Sequence, residues 1–308
     1  MNSSIQRYEP VELPKGIQRS MMLPSDELGA IWKSIILPEE KKKELLNQAV
    51  LNFTVRTKVP RSVLPLHGVI LLVGPPGTGK TSLARGLANS TAESINVAGK
   101  QFHFLEVEPH SLTSAAMGKT QRTVTELFSQ TIAEIATGGP TIVLLDEVET
   151  LAADRVKLSL DANPIDVHRA TDAVLVQLDV LAEQFPEILF IATSNFPQAV
   201  DAAFVSRCDL VCHIPMPDAQ ACALILRDCL TGLGQTFPAI RAVQDSADFG
   251  RLAAECVGLD GRTIRKVIAN GMAQRKETAI DPNQLTVGDL ISAASKAKLL
   301  RTTEGFKC

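Results

Sequence analysis

Between residues 66 and 217 the chain alternates two hydrophobic periods. Three runs are apolar at nearly every position: GVILLV (68–73), TIVLLD (141–146) and EILFIAT (187–193). QFHFLEVE (101–108) alternates, and LVCHIP (210–215) is short and mostly apolar. Runs of this length read as strands, and strands apolar on both faces belong to a parallel sheet covered by helices. Between them lie segments with apolar residues at helical spacing: TSLARGLANSTA (81–92), RTVTELFSQTIAEIA (122–136) and DVHRATDAVLVQLDVLAEQF (166–185). The alternation predicts an α/β domain in which a five-stranded parallel sheet lies between helices.

Beyond Asp218 the strand signal stops. Residues 218–233, 246–257, 261–277 and 286–301 read as four helices, the last opening on a capping pattern of Thr286 with Asp289. Before Leu66 two stretches, 25–35 and 38–53, are helical in pattern. The expected organisation is a short, partly helical N-terminal segment (1–60), a large α/β domain (61–217) and a small all-helical domain (218–308).

Composition narrows the setting. A chain of 308 residues exceeds one ordinary core and fits two packed units. With 45% hydrophobic and 21% charged residues it has the balance of a soluble globular protein. A net charge of −3 gives no global field that would recruit nucleic acid or an anionic membrane. No apolar run approaches the roughly 20 residues needed to span a bilayer, and the N-terminus lacks the apolar stretch of a secretion signal. The six cysteines form no C-x-x-C pair and read as buried free thiols of a reducing cytoplasm.

The candidate chemistry sits at the ends of the apolar runs. GPPGTGKTS (Gly74, Pro75, Pro76, Gly77, Thr78, Gly79, Lys80, Thr81, Ser82) fits G-x-x-x-x-G-K-[ST], and it follows a strand and opens a helix, as a phosphate-cradling loop requires. Glycines let backbone N–H groups turn toward phosphate oxygens, and the helix N-terminus adds its positive end. Lys80 would pair with the β- and γ-phosphates of ATP, and Thr81 would ligate Mg²⁺. Asp146 ends the next apolar strand, within reach of the Mg²⁺ shell, and Glu147 can polarise the attacking water. Glu149, two residues on, reads as structural. Asn195, in ATSNF, closes another strand, where it can meet the γ-phosphate or orient water. Arg207, in AFVSRCD, lies too far along the chain to meet the same nucleotide easily, but it can be donated to a neighbouring subunit. Taken alone it would be a surface salt bridge. In GLDGRTIRKV either Arg262 or Arg265 could reach back to the phosphates from the helical domain.

In this order these features resemble an AAA+ ATPase with a helical lid. The blocks LPSDELGAIWKSI, GPPGTGKTSL, HSL, LLDEVETLAA, TSNF, VDAAFVSRCD and GLDGRTIRK are similar to the pachytene-checkpoint, or thyroid-receptor-interactor, branch, from about residue 23 to the C-terminus. The resemblance implies a homo-hexameric, ATP-driven remodeller that partly unfolds HORMA-domain proteins, with no nucleic acid or membrane partner. It further implies that residues 110–121 form a pore loop gripping substrate. Ala116 and Met117 stand where relatives carry two bulky aromatic residues, so Met117 is the expected grip and Gly118 its hinge. A second pore loop would be 154–164. The short N-terminal segment resembles that of bacterial members found beside HORMA proteins in anti-phage nucleotide-signalling (CBASS) systems, where the HORMA protein is bound to a nucleotidyltransferase. Two other readings compete: a DNA-processing loader, which would need a basic stripe or helix-turn-helix, and a nucleotide switch without turnover, which would lack Glu147 or Arg207.

Overall fold

The computed structural model describes residues 13–95, 101–112, 119–153 and 164–303. Six strands form one sheet: β1 (Ile17–Leu23), β2 (Val69–Val73), β3 (Phe102–Val107), β4 (Thr141–Leu145), β5 (Ile188–Ser194) and β6 (Leu210–His213), in the order β1-β3-β4-β5-β2-β6. The five strands read from the sequence are present and pair in parallel. The sixth, β1, lacks a sequence prediction: it pairs antiparallel with β3, Ile17 opposite Val107 and Leu23 opposite Phe102. Only those two end residues of β1 are buried, so no continuous apolar run marks the strand. An edge strand of this kind escapes a reading based on buried runs.

Strand residues alternate between two cores. Val69, Leu71, Val73, Val143, Leu145 and Phe190 face one layer, packed on residues of the helices at 119–137 and Pro164–Gln184. Ile70, Leu72, Ile142, Leu144, Leu189 and Ile191 face the other, under the helices Asp26–Ser34, Glu39–Val55 and Lys80–Ile95. Phe190 is fully buried and stacks with Phe128 at 6.0 Å; truncating such a residue to alanine costs about 3–5 kcal/mol. A π-helical turn at Leu127–Ile132 turns Leu127, Phe128 and Ile132 into the first core together. The N-terminal helices are fastened to the sheet base by Arg56, whose guanidinium donates to the carbonyls of Ile188 and Ala182.

The helical part has its own core, built on Leu226, Leu230, Leu252, Ile264, Val267 and Leu290. The expected helix over 261–277 is broken: it ends at Met272 and restarts at Lys276–Ile280, because the buried Thr278 hydroxyl donates to the carbonyls of Met272 and Arg275. The Thr286–Asp289 cap forms as read, with Asp289 accepting from Thr286 N at 3.0 Å and Thr286 Oγ1 at 2.7 Å. The five described cysteines are free thiols, and burial pushes those of Cys208 and Cys256 up to about 12. No helix among the described residues is long and apolar enough to cross a membrane.

Candidate nucleotide site

Strand order assembles the site. The loop at 74–79 follows β2, the Asp146–Glu147 pair follows β4, and β5 runs between those two strands. The end of β5 therefore delivers Thr193 and Asn195 into the gap between loop and acidic pair, at the carboxyl ends of parallel strands where such sheets bind ligands.

In the loop, Gly77 and Gly79 take φ of +80° and +88°, a region that admits glycine without strain. Gly79 has open space around it, so its need is purely conformational. Gly77 has a second need, because a Cβ there would strike the Asp260 carboxylate from the helical part. Lys80 is only 5% exposed, and its ammonium donates to the carbonyls of Gly74 at 2.9 Å and Pro75 at 2.8 Å. Burial lowers its pKa, while Glu149, Asp146 and Glu147 pull it upward and Arg262 pushes it down. These influences put the Lys80 ammonium among three carboxylates, with the Arg262 guanidinium near enough to be felt.

The acidic pair is held by hydroxyl, amide and imidazole groups. Asp146 Oδ1 accepts from Thr81 Oγ1 at 2.8 Å and from Thr193 Oγ1 at 2.5 Å. The same Thr193 hydroxyl accepts from Glu147 N at 3.0 Å, so one side chain on β5 fixes both acids. Glu147 is the only non-glycine residue among those described with positive φ, at 52°. A left-handed backbone of this kind is uncommon outside glycine and is held in place by its surroundings. Its carboxylate accepts from Asn195 Nδ2 at 2.9 Å on Oε1, and Oε2 lies 3.2 Å from His110 Nε2. Glu149 Oε1 accepts from Asn195 N at 3.0 Å, and its Oε2 is buried without a hydrogen-bond partner. Leaving such an atom unmatched costs about 1–3 kcal/mol, a cost tolerated here in a centre rich in cationic and acidic groups.

These residues line a cleft of about 750 Å³ between the α/β and helical parts, which also takes in Ile35, Ile36, Ile225, Arg262 and Arg265. Of the expected set, residues 76–82, Asp146, Glu147, Asn195, Arg262 and Arg265 line it, and Gly74 and Pro75 adjoin it through Lys80. The two arginines differ. Arg265 pairs with Asp228 at 3.1 Å and donates to Cys229 Sγ, whereas Arg262 makes no side-chain hydrogen bond among the described residues and acts on Lys80 by charge. Arg207 stands apart from the cleft. Its Nε and Nη2 clamp Asp179 at 3.1 and 2.7 Å, and its Nη1 donates to Ala203 O. Burial alone would raise the Asp179 pKa, but the hydrogen bond and charge of Arg207, the hydrogen bond of Arg61 and the influence of His67 outweigh it and hold it below the ordinary carboxylate value. Ala116, Met117, Gly118 and residues 154–163 lie outside the described residues.

Sequence reasoning passed over three contributors. Thr193 sits inside ATSNF and His110 inside HSL, both quoted stretches, but neither has a spacing that marks it before the fold is known. Asp260 sits inside GLDGRTIRKV, where only Arg262 and Arg265 carry a reading. The donor set suits a magnesium nucleotide: a glycine-walled loop at a helix N-terminus, a buried ammonium, and a hydroxyl–carboxylate pair of hard oxygen donors.

Fold and cleft together define a P-loop nucleotide-binding protein with a helical lid. The model of the ATPase family associated with various cellular activities (AAA) matches residues 70–216. CD-NTase-associated protein 6 of Pseudomonas aeruginosa is 66% identical over 293 residues, covering 95% of this chain and 96% of that protein. A pachytene checkpoint protein 2 homolog of Arabidopsis thaliana is 32% identical over 279 residues, covering 80% of this chain and 59% of the relative. Among solved structures, C. elegans PCH-2 superposes with a TM-score of 0.72 at 26% identity, over 94% of this chain and 78% of that one. A chain of the E. coli MS115-1 HORMA:CdnC:Trip13 complex shares the fold, with a TM-score of 0.68 at 19% identity over 91% and 95% of the two chains. The chain belongs to the AAA ATPases, in the family of CD-NTase-associated protein 6 and related to the pachytene checkpoint protein 2 homologues.

Proposed function

We propose that this chain hydrolyses ATP in a homo-hexamer and uses the energy to remodel a HORMA-domain protein, opening its closed, partner-bound form. In a bacterial cell this would release a nucleotidyltransferase and restrain a CBASS alarm in the cytoplasm. The observation carrying the reading is the convergence of Lys80, Thr81–Asp146 and Glu147–Asn195 in one cleft, in a chain 66% identical to a protein named for association with such a nucleotidyltransferase.

The residues divide the chemistry among themselves. Lys80 and the backbone of 77–79 take the phosphates of ATP. Thr81 and Asp146 would hold Mg²⁺, which when bound offsets phosphate charge. Glu147 accepts a proton from the attacking water, and Asn195 and His110 fix where its carboxylate points. Arg207 acts on the nucleotide of the neighbouring subunit, since its own cleft does not contain it. Arg262, the less engaged of the two lid arginines, reads the γ-phosphate and turns lid motion into movement of the Met117 loop.

Glu147→Gln tests the scheme. The variant keeps the side-chain shape and should bind ATP, lock the hexamer and lose turnover by about 10³-fold or more. It should also co-purify with its HORMA substrate. ATP hydrolysis at the wild-type rate would remove Glu147 from the mechanism.

A further inference from the structure

Asp260 is a carboxylate in an unexpected place. It is 6% exposed and packs directly against Gly77 at the loop apex. The contact is reinforced by the backbone, with Arg262 N donating to Gly77 O at 3.3 Å. Asp260 also caps the helix Gly261–Met272, accepting from Thr263 N at 2.9 Å and Thr263 Oγ1 at 2.8 Å. A cap needs only an acceptor oxygen, and asparagine serves as well as aspartate. The negative charge is therefore surplus to capping, and it lies beside a loop built for polyphosphate.

Among the described residues one guanidinium pairs with that charge. Arg301, in the last turn of the helix Val287–Thr303, donates from Nη2 to Asp260 Oδ2 at 2.8 Å and from Nη1 to Gly258 O at 2.6 Å. Gly258, at φ +91°, makes the bend that brings its carbonyl to Arg301. We propose that Arg301 is a positioning residue for the nucleotide site: it cancels the Asp260 charge beneath Gly77, so that the lid can dock on the loop without repelling the phosphates. The proposal rests on the reading of the cleft as a nucleotide site. It makes the C-terminal helix a contributor to ATP affinity from outside the cleft.

The test is nucleotide affinity by fluorescence of mant-ATP and mant-ADP and by AMP competition, on the full chain with Mg²⁺. Arg301→Ala should weaken ATP about tenfold, ADP less and AMP least, because repulsion scales with ligand charge, and added salt should shrink the loss. Asp260→Asn should bind ATP at least as tightly as the wild type, and Asp260→Asn with Arg301→Ala should return affinity to within about twofold of it. Equal losses for the three ligands, or a double variant no better than Arg301→Ala, would make Arg301 a plain staple of the lid. Weaker ATP binding by Asp260→Asn alone overturns the proposal even if Arg301→Ala fails to fold. A wild-type chain that binds no mant-ATP removes the nucleotide reading itself, a result distinct from wild-type binding with an unaffected Arg301→Ala.

Discussion

Under the proposed scheme Glu147 and Arg207 meet the same nucleotide from two different subunits, and the molecule holds them in opposite ways. The Glu147 side chain is 46% exposed, and its carboxylate is shared between an amide and an imidazole at 2.9 and 3.2 Å. Such partners orient the carboxylate and leave further acceptor sites on both of its oxygens. Arg207 is gripped through three donors, two of them in a charge-assisted fork on Asp179. A guanidinium fixed this way is ordered before it meets anything else. The contrast teaches that one chain gathers the carboxylates, Lys80 and Arg262 in its cleft while Arg207 is held outside it, so that under the proposed scheme Arg207 would have to serve a neighbouring subunit.

The sharpest way to break that comparison is to separate the two halves. Arg207→Ala should keep ATP affinity and lose turnover by about 10²–10³-fold. Mixing it with the inactive Glu147→Gln chain then decides where Arg207 acts. A mixed ring contains sites with Glu147 from one chain and Arg207 from the next, so about a quarter of wild-type turnover should return at a 1:1 ratio. If the mixture stays dead while mixed hexamers form, Arg207 serves its own subunit and the division fails.

A smaller effect should follow from the clamp alone. Asp179→Asn leaves the Arg207 charge in place but loosens the fork, and should lower kcat about tenfold with KM for ATP little changed. Arg61, at 3.3 Å, and His67, at 3.4 Å from Asp179 Oδ1, lose their counter-charge in the same variant. Unchanged turnover would reduce the Asp179–Arg207 pair to an exposed ion pair of little consequence.

The two regions also differ in how much of them the chain declares in advance. Gly77, Lys80 and Thr81 sit at fixed spacings after an apolar run, so their meeting can be read from order alone. Asn195 was legible only as a strand end, and its bond to Glu147 depends on β5 inserting between β2 and β4, an order no local pattern encodes. Thr193 is more hidden still: a β-branched residue in an apolar strand reads as core, and only its pairing with Asp146 and Glu147 N reveals a polar duty. β1 was missed because Gln18, Ser20 and Met22 are exposed, and the break after Met272 because it depends on the long-range fit of Thr278. Hydrophobic period reports burial; it is silent on which polar group meets which.

The smallest effect expected lies in the lid, far from the chemistry, where Asp289 caps the last helix and forms a fork on Arg275 at 2.9 and 2.8 Å. The Arg275 hydrogen bond, opposed by burial and aided by Thr286, lowers the Asp289 pKa from 3.8 to about 2. A carboxylate with a lowered folded pKa stabilises the fold fully only where the unfolded chain would also be ionised, above about pH 5, and the contribution fades as pH falls from about 4 through 2. Because the Arg275 side chain is 41% exposed, water screens the fork, and Asp289→Ala should cost about 1 kcal/mol at pH 7, less than the full shift would imply, a drop of roughly 2–4 °C in Tm. The gap to the wild type should close in parallel scans taken toward pH 2. Taking the difference between the two proteins cancels the titration of the other carboxylates, which both share. A gap that persists unchanged at pH 2 would mean that Asp289 supports the helix through packing, and that the Arg275 fork, unlike the Asp179 clamp, has no electrostatic part to lose.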